Sequence, residues 1–277
     1  MRNRLFFLVI NLFVANCVLA QTYFENGLKI YFEGDDEESI KWFTKSIDMG
    51  EEVSKSYMYR GGAYIFLNQM DKAKIDLDKS IKLDSINPKI YFYLGKYYLL
   101  NLNYIEAIKY YDVAIKKDST DVGSYNERAE AKIIIKDFNG AEEDISKAIE
   151  LDPNNSHFYN VRGVVKFILK MYNEAIVDLD KSIQIEPSHR AFINRGMSYS
   201  GIGNQTKALE DYNKALGFSP TLDCEVYYFR GISYKILGFK DKACDDFFKS
   251  KSLGIENNID ISKDRIDKAI NELQCKR

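Results

Sequence analysis

An all-α solenoid of seven helix-turn-helix repeats, closed by one C-terminal helix, is the fold this 277-residue chain predicts. Three observations carry it. A small residue recurs at Gly27, Gly61, Gly95, Ala129, Gly163, Gly196 and Gly231, in steps of 33 to 35 residues. Each is followed in register by two more, from Ser39 and Ser46 in the first unit to Ala243 and Ser250 in the last. Only four Pro occur in the whole chain, so helices run on without interruption.

Residues 1–20 come first and read as an address. Arg2 and Arg4 precede an apolar run from Leu5 to Leu19, and Val18 and Ala20 fit the small residues before a cleavage site. The expectation is a cleavable secretory signal, leaving Gln21 as the new N-terminus. The alternatives are an uncleaved anchor helix and a lipoprotein tethered through Cys17, where Asn16 departs from the small residue expected before the cysteine. Cleavage removes two Arg and no acid, so the net charge moves from −2 to −4. That mild acidity gives no electrostatic attraction to nucleic acid or anionic membranes.

The repeats occupy residues 21–257 and start near 20, 54, 88, 122, 156, 189 and 224. Each holds two apolar patterns of helical period separated by a short polar turn, such as Asn68-Gln69 or Gly203-Asn204. Gly inside a helix costs about 1 kcal/mol against Ala, so its recurrence at one register marks close approach of two helices. Residues 258–277 carry a single apolar stripe of Ile259, Ile266, Ile270 and Leu273. They read as the capping helix that covers a solenoid's last apolar face. Three cysteines survive signal removal; antiparallel packing favours Cys244–Cys275 over the pairings with Cys224.

With each repeat numbered so that the Gly/Ala is position 8, Arg at position 7 and Asp at position 23 occur together. The pairs are Arg60/Asp76, Arg128/Asp144, Arg162/Asp178, Arg195/Asp211 and Arg230/Asp246. Repeats 1 and 3 lack both, showing Asn26/Trp42 and Leu94/Tyr110. The two positions are equidistant from the turn, so they should lie side by side in an antiparallel hairpin. Repeat 2 has neighbours with neither residue, so Arg60 and Asp76 must pair within their own unit. The expected role is structural: partly buried pairs that hold the first helix to the second.

The unit resembles the tetratricopeptide repeat, a 34-residue helix-turn-helix. Repeat 6 shows the pattern well, with Phe192, Gly196, Tyr199, Ala208, Tyr212, Ala215 and Pro220. The resemblance, to the exported bacterial type, implies a right-handed superhelix whose first helices line a concave groove through positions 2, 5, 9 and 12. Those positions offer Phe24, Tyr31, Met58, Phe92, Lys96, Asn126, Asn160 and Tyr228 as candidate partner-binding residues. The first three repeats would form an apolar, aromatic trough, and Asn126 and Asn160 could pair with a peptide backbone of any sequence. The family's Lys/Asn carboxylate clamp is not matched.

No catalytic constellation appears. His157 and His189 are the only histidines, no cysteine spacing fits zinc, and Gly201-Ile202-Gly203 lacks the third Gly and the preceding strand of a nucleotide loop. The acidic run Asp35 to Glu38 falls at the start of a second helix, where carboxylates suit the helix dipole. No cofactor, metal or catalytic residue is expected. The expected function is a non-enzymatic scaffold in the periplasm or at the cell surface that binds a protein or peptide in the groove. The alternative is an envelope glycan stacked in the aromatic trough.

Overall fold

The computed structural model describes residues 23–50, 52–218, 224–256 and 263–275, so residues 1–20, expected to be a secretory signal, lie outside the described residues. Helices follow one another throughout: α1 (residues 23–33), α2 (Asp36–Met49), α3 (Val53–Phe66), α4 (Met70–Leu83), α5 (Pro88–Leu100), α6 (Tyr104–Lys117) and α7 (Val122–Ile134). Then come α8 (Phe138–Leu151), α9 (Ser156–Ile168), α10 (Tyr172–Ile185), α11 (His189–Gly201), α12 (Gln205–Phe218), α13 (Cys224–Ile236), α14 (Lys240–Glu256) and α15 (Lys263–Glu272). No strand occurs among the described residues. The fold is the all-α repeat solenoid that the periodicity predicts, with odd-numbered helices opening the repeats and even-numbered helices closing them.

The chain divides into two compact units, residues 1–136 and 137–277. In the first, α3 packs on α4 and α5 on α6, while α2, α4 and α6 each pack on the helix that follows. Helices α3, α5 and α7 also touch in sequence. In the second, α9/α10, α11/α12 and α13/α14 form hairpins, and α8, α10, α12 and α14 pack on their successors.

The local chemistry explains the elements. Asn87, Asn103, Asp121, Asp137 and Asn155 each cap a helix by accepting a backbone N–H in its first turn. The turn between the two helices of every repeat places position 15 in the left-handed region: Gly34, Asn68, Leu102, Lys136, Lys170, Gly203 and Gly238. Glycine and asparagine suit that conformation; Leu102, Lys136 and Lys170 adopt it at a cost in strain.

The small residue at position 8 has a specific physical cause. A large side chain from position 24 of the second helix lies across it. A Cβ on Gly95 would meet the Tyr111 ring at 2.5 Å, and one on Gly163 would meet Leu179 at 2.7 Å. Gly27 over Phe43, Gly196 over Tyr212 and Gly231 over Phe247 repeat the arrangement.

The arginines do more than staple a hairpin. Arg60 donates from Nε and Nη2 to the two oxygens of Asp76 at 2.7 and 3.0 Å. Arg162, Arg195 and Arg230 grip Asp178, Asp211 and Asp246 in the same forked way. The remaining Nη1 reaches back into the preceding repeat at position 25: Arg60 to Thr44, Arg162 to Ser146, Arg195 to Asp180 and Arg230 to Asn213. Arg128 makes the same backward bond to Asp112 at 2.6 Å; Asp144, buried, belongs to the other unit. Each guanidinium also lies within 6 Å of the ring at position 4 of its own repeat, from Tyr57 to Tyr227.

At the C-terminus, Ile266 and Ala269 of α15 are buried against Ala243 and Phe247 of α14. The Cys244–Cys275 disulfide, Lys235–Glu272 and Lys251–Asp267 fasten the same helix. Cys224 remains a buried thiol.

Asp76 keeps only 4% of its side-chain surface exposed and Arg60 14%. Asp76→Ala would strand a buried guanidinium and should cost about 3–5 kcal/mol. Arg60→Met with Asp76→Leu removes both charges and should cost much less. Urea unfolding of the three proteins checks this; equal losses in the single and double variants would contradict it.

Candidate functional site

The structure corrects the expected aromatic trough. Phe24, Tyr31 and Met58 belong to the core of the first unit, with Met58 only 1% exposed. The reason lies in packing: Phe24 at position 5 sits between Phe43 of its own repeat's second helix and Tyr59 of the next repeat's first helix. Phe92 is half-buried and wedges between Tyr93, Tyr111 and the bare face of Gly123. Tyr228 packs under the capping helix with Ile232, against Phe247 and Ile266. Asn126 is half-buried, and the Asn160 carbonyl already accepts from the Asn194 amide at 3.0 Å. An exposed aromatic platform for a glycan is therefore not presented by these residues.

Tyr31 and Tyr93 close the first three repeats from inside. Their hydroxyls hydrogen-bond at 3.0 Å across α3, although 62 residues separate them. The crossing passes over Gly62, where a Cβ would sit 2.7 Å from the Tyr93 ring and 2.8 Å from the Tyr31 hydroxyl. Burial, opposed by the bond to Tyr93, pushes the Tyr31 phenol up to about 12.

What the first unit does expose is a ladder one register further on. Position 13, at the end of each first helix, carries Phe32, Phe66, Leu100 and Ile134, from 71% exposed at Phe32 to 44% at Ile134. In the second unit, Ile168 and Ile236 hold the same position and are also exposed. Sequence reasoning missed this register because it weighed positions 2, 5, 9 and 12. An apolar residue at position 13 in six of the seven repeats was the available signal. Phe66 lies near Tyr31, and Lys96 of the next repeat lies over its ring at 5.0 Å. Lys96 also reaches Glu127 of α7 at 3.5 Å, so Phe66, Lys96 and Glu127 run across α3, α5 and α7.

Beyond this face, the described residues contain no group of three or more His, Cys, Asp or Glu placed to hold a metal ion. None of their helices is long and apolar enough to cross a membrane.

Stacked hairpins, a glycine under a large side chain and an exposed ladder along the first helices define a repeat-scaffold architecture. The chain belongs to the tetratricopeptide repeat family, whose model matches residues 54–87, 122–155, 156–189 and 189–222. Among solved structures it is similar to YrrB, described as a TPR protein with an unusual peptide-binding site. That match has a TM-score of 0.57 and 24% identity, covering 64% of this chain and 92% of that one. It is also similar to a tetratricopeptide repeat protein from Parabacteroides merdae, with a TM-score of 0.59, 15% identity and coverage of 92% and 99%. The Cut9–Hcn1 hetero-tetramer of the APC/C gives a TM-score of 0.69 at 16% identity, covering 94% of this chain and 52% of that one. No curated protein matches the sequence. Likenesses at these identities carry the fold.

The Tyr31 clasp has a pH consequence. Its pKa is raised above the ordinary value of 10.0, so its stabilisation is complete below that value and is lost as pH climbs through about 12. In an alkaline titration followed by tyrosinate absorbance, Tyr31→Phe should delete an ionisation near pH 12. Deletion of one near pH 10 would show the clasp to be open in solution.

Proposed function

We propose that this protein is a non-enzymatic interaction scaffold that docks an apolar protein segment on the position-13 ladder of its first unit. The supporting observation is that Phe32, Phe66, Leu100 and Ile134 stay exposed at one register of four successive repeats. Scattered surface apolar residues need no explanation, but an ordered row of them does.

The ladder also sets the ligand's geometry. Packed helices stand about 8–10 Å apart, which fixes the interval between rungs. A polyproline-II chain rises about 3.1 Å per residue with three residues per turn, so every third side chain would meet a rung. A helix rises about 1.5 Å per residue, so an apolar residue every seven would do the same. Aromatic and aliphatic rungs suit a partner that buries apolar side chains against them.

The pattern of residues 1–20 supports action outside the cytoplasm, in the periplasm or at the cell surface. The intact mass of the exported protein checks that reading: a chain starting at Gln21 fits a cleaved signal, and a diacylated chain starting at Cys17 fits a lipoprotein. A chain retaining Met1 would contradict both.

The docking reading is tested by a variant with Phe66, Leu100 and Ile134 changed to Ser. These side chains are partly exposed, so far-UV circular dichroism and Tm should stay close to wild type. Capture from envelope extract should yield a partner held by the wild type and lost by the variant. The same partner held equally by both would overturn the ladder as the docking surface.

A further inference from the structure

The last helix of the second unit lies where the first helix of a further repeat would stack. In repeat 1, Phe24 and Phe43, at positions 5 and 24, both meet Tyr59 of the next repeat's first helix. In repeat 7 the same positions are Tyr228 and Phe247, and α15 covers them together with Ile232 and Ala243. It does so with Ile266, Ala269, Ile270 and Leu273, the i, i+3, i+4, i+7 stripe of an amphipathic helix. Lys235 of α13 and Lys251 of α14 reach Glu272 and Asp267 of α15, each at 2.5 Å. Within the second unit α15 is thus seated as a ligand would be: an amphipathic helix in an apolar strip, its carboxylates on two rim lysines.

What holds α15 differs from what holds the Arg-bearing repeats. Position 25 of repeat 7 is Phe248, which offers no oxygen to an arginine, so the backward clamp has no counterpart here. A helix of ten residues is marginal by itself. Both ion pairs leave at least 31% of each side chain exposed, where such pairs contribute little. The remaining tie is covalent, from Cys244 in the first turns of α14 to Cys275 just past α15. It closes a loop across 31 residues and so confines α15 to its place. Cys244 is buried and Cys275 half-buried, so a thiolate from solution attacks from the Cys275 side.

We propose that the Cys244–Cys275 disulfide is a redox latch, and that the strip beneath α15 is a docking site for an amphipathic helix of a partner protein with carboxylates beside its apolar stripe. A reducing dithiol opens the latch. One of its thiolates attacks Cys275 Sγ, the S–S bond breaks, and Cys244 leaves as a thiolate that takes up a proton. The dithiol's second thiol then displaces Cys275 from the mixed disulfide. The reductant ends as a disulfide, and the protein gains two electrons and two protons. Once untied, α15 exchanges with the partner helix over Tyr228, Ile232 and Phe247. The partner's chemistry is read from α15 itself: apolar residues at i, i+3, i+4 and i+7 fill the strip, and acids reach Lys235 and Lys251. This surface uses none of the first unit's ladder residues and does not depend on them.

The test compares the purified protein oxidised and after dithiol treatment, by hydrogen exchange and fluorescence anisotropy. Reduction should speed exchange of the α15 amides by at least about tenfold while those of α11 and α12 stay protected. The probe is a labelled peptide of residues 263–275 carrying Cys275→Ser. It should bind the reduced protein, and the C275S variant without reductant, at least about tenfold more tightly than the oxidised protein. The same peptide with Asp267→Lys and Glu272→Lys should bind the reduced protein about fivefold more weakly. Equal binding of the two peptides would overturn the assignment of an acidic partner. Unchanged α15 exchange, or no binding to the reduced protein, would overturn the latch. Equal binding to the oxidised and reduced protein would overturn it too, because the strip would then be open without reduction. Loss of far-UV circular dichroism in both the reduced protein and C275S would assign the disulfide to the fold of the unit instead.

Discussion

The arginine at position 7 is the interaction on which the stacking depends. A helix hairpin of this size cannot bury its own apolar face, so repeats hold only through their neighbours. Arg60, Arg162, Arg195 and Arg230 each bond three helices at once: their own, their hairpin partner through Asp, and the preceding repeat's second helix through position 25. Arginine alone suits this, because its planar fork fills a carboxylate bidentately and still has an Nη–H to spare. A lysine there could hold one partner but not fix the angle between helices. The aromatic at position 4 lies beside the guanidinium, a cation–π neighbour in each of these repeats.

Repeats 1 and 3 lack the arginine, and aromatic contacts take its place. Tyr110 stacks on Tyr98 with centroids 5.1 Å apart, and Trp42 sits against Tyr23 under the Lys45 ammonium. The Tyr31–Tyr93 hydrogen bond ties those same two repeats together across the one between them. These rings fill the inner side of the first three repeats with core. That filling leaves the ends of the first helices as the exposed apolar face.

Periodicity made most of the fold legible. Gly at position 8 and the Arg/Asp pairing recur, and recurrence separates a constraint from chance within a single chain. The backward arm of the arginine was readable too: Thr44, Asp112, Ser146, Asp180 and Asn213 all offer a short side-chain oxygen in the repeat before an Arg. The expected trough was not readable, for a physical reason. Phe24 and Met58 have the same helical period whether they face a groove or the next helix, and only the distance between helices decides which. Tyr228 shows the same limit at the other end, because the capping helix that covers it is a tertiary contact. Exposure likewise had to come from the structure before Phe32, Phe66, Leu100 and Ile134 stood out from the apolar residues around them.

The central claim is that position 7 couples adjacent repeats and does not merely close its own hairpin. A double-mutant cycle on Arg60→Met and Thr44→Val isolates that arm, since Thr44 lies in repeat 1 and Val keeps its shape. The account predicts a coupling of about 1.5 kcal/mol or more, the range for a hydrogen bond to a charged group. A coupling indistinguishable from zero would show that the repeats stack through apolar contacts alone and that the arginine belongs to its hairpin only.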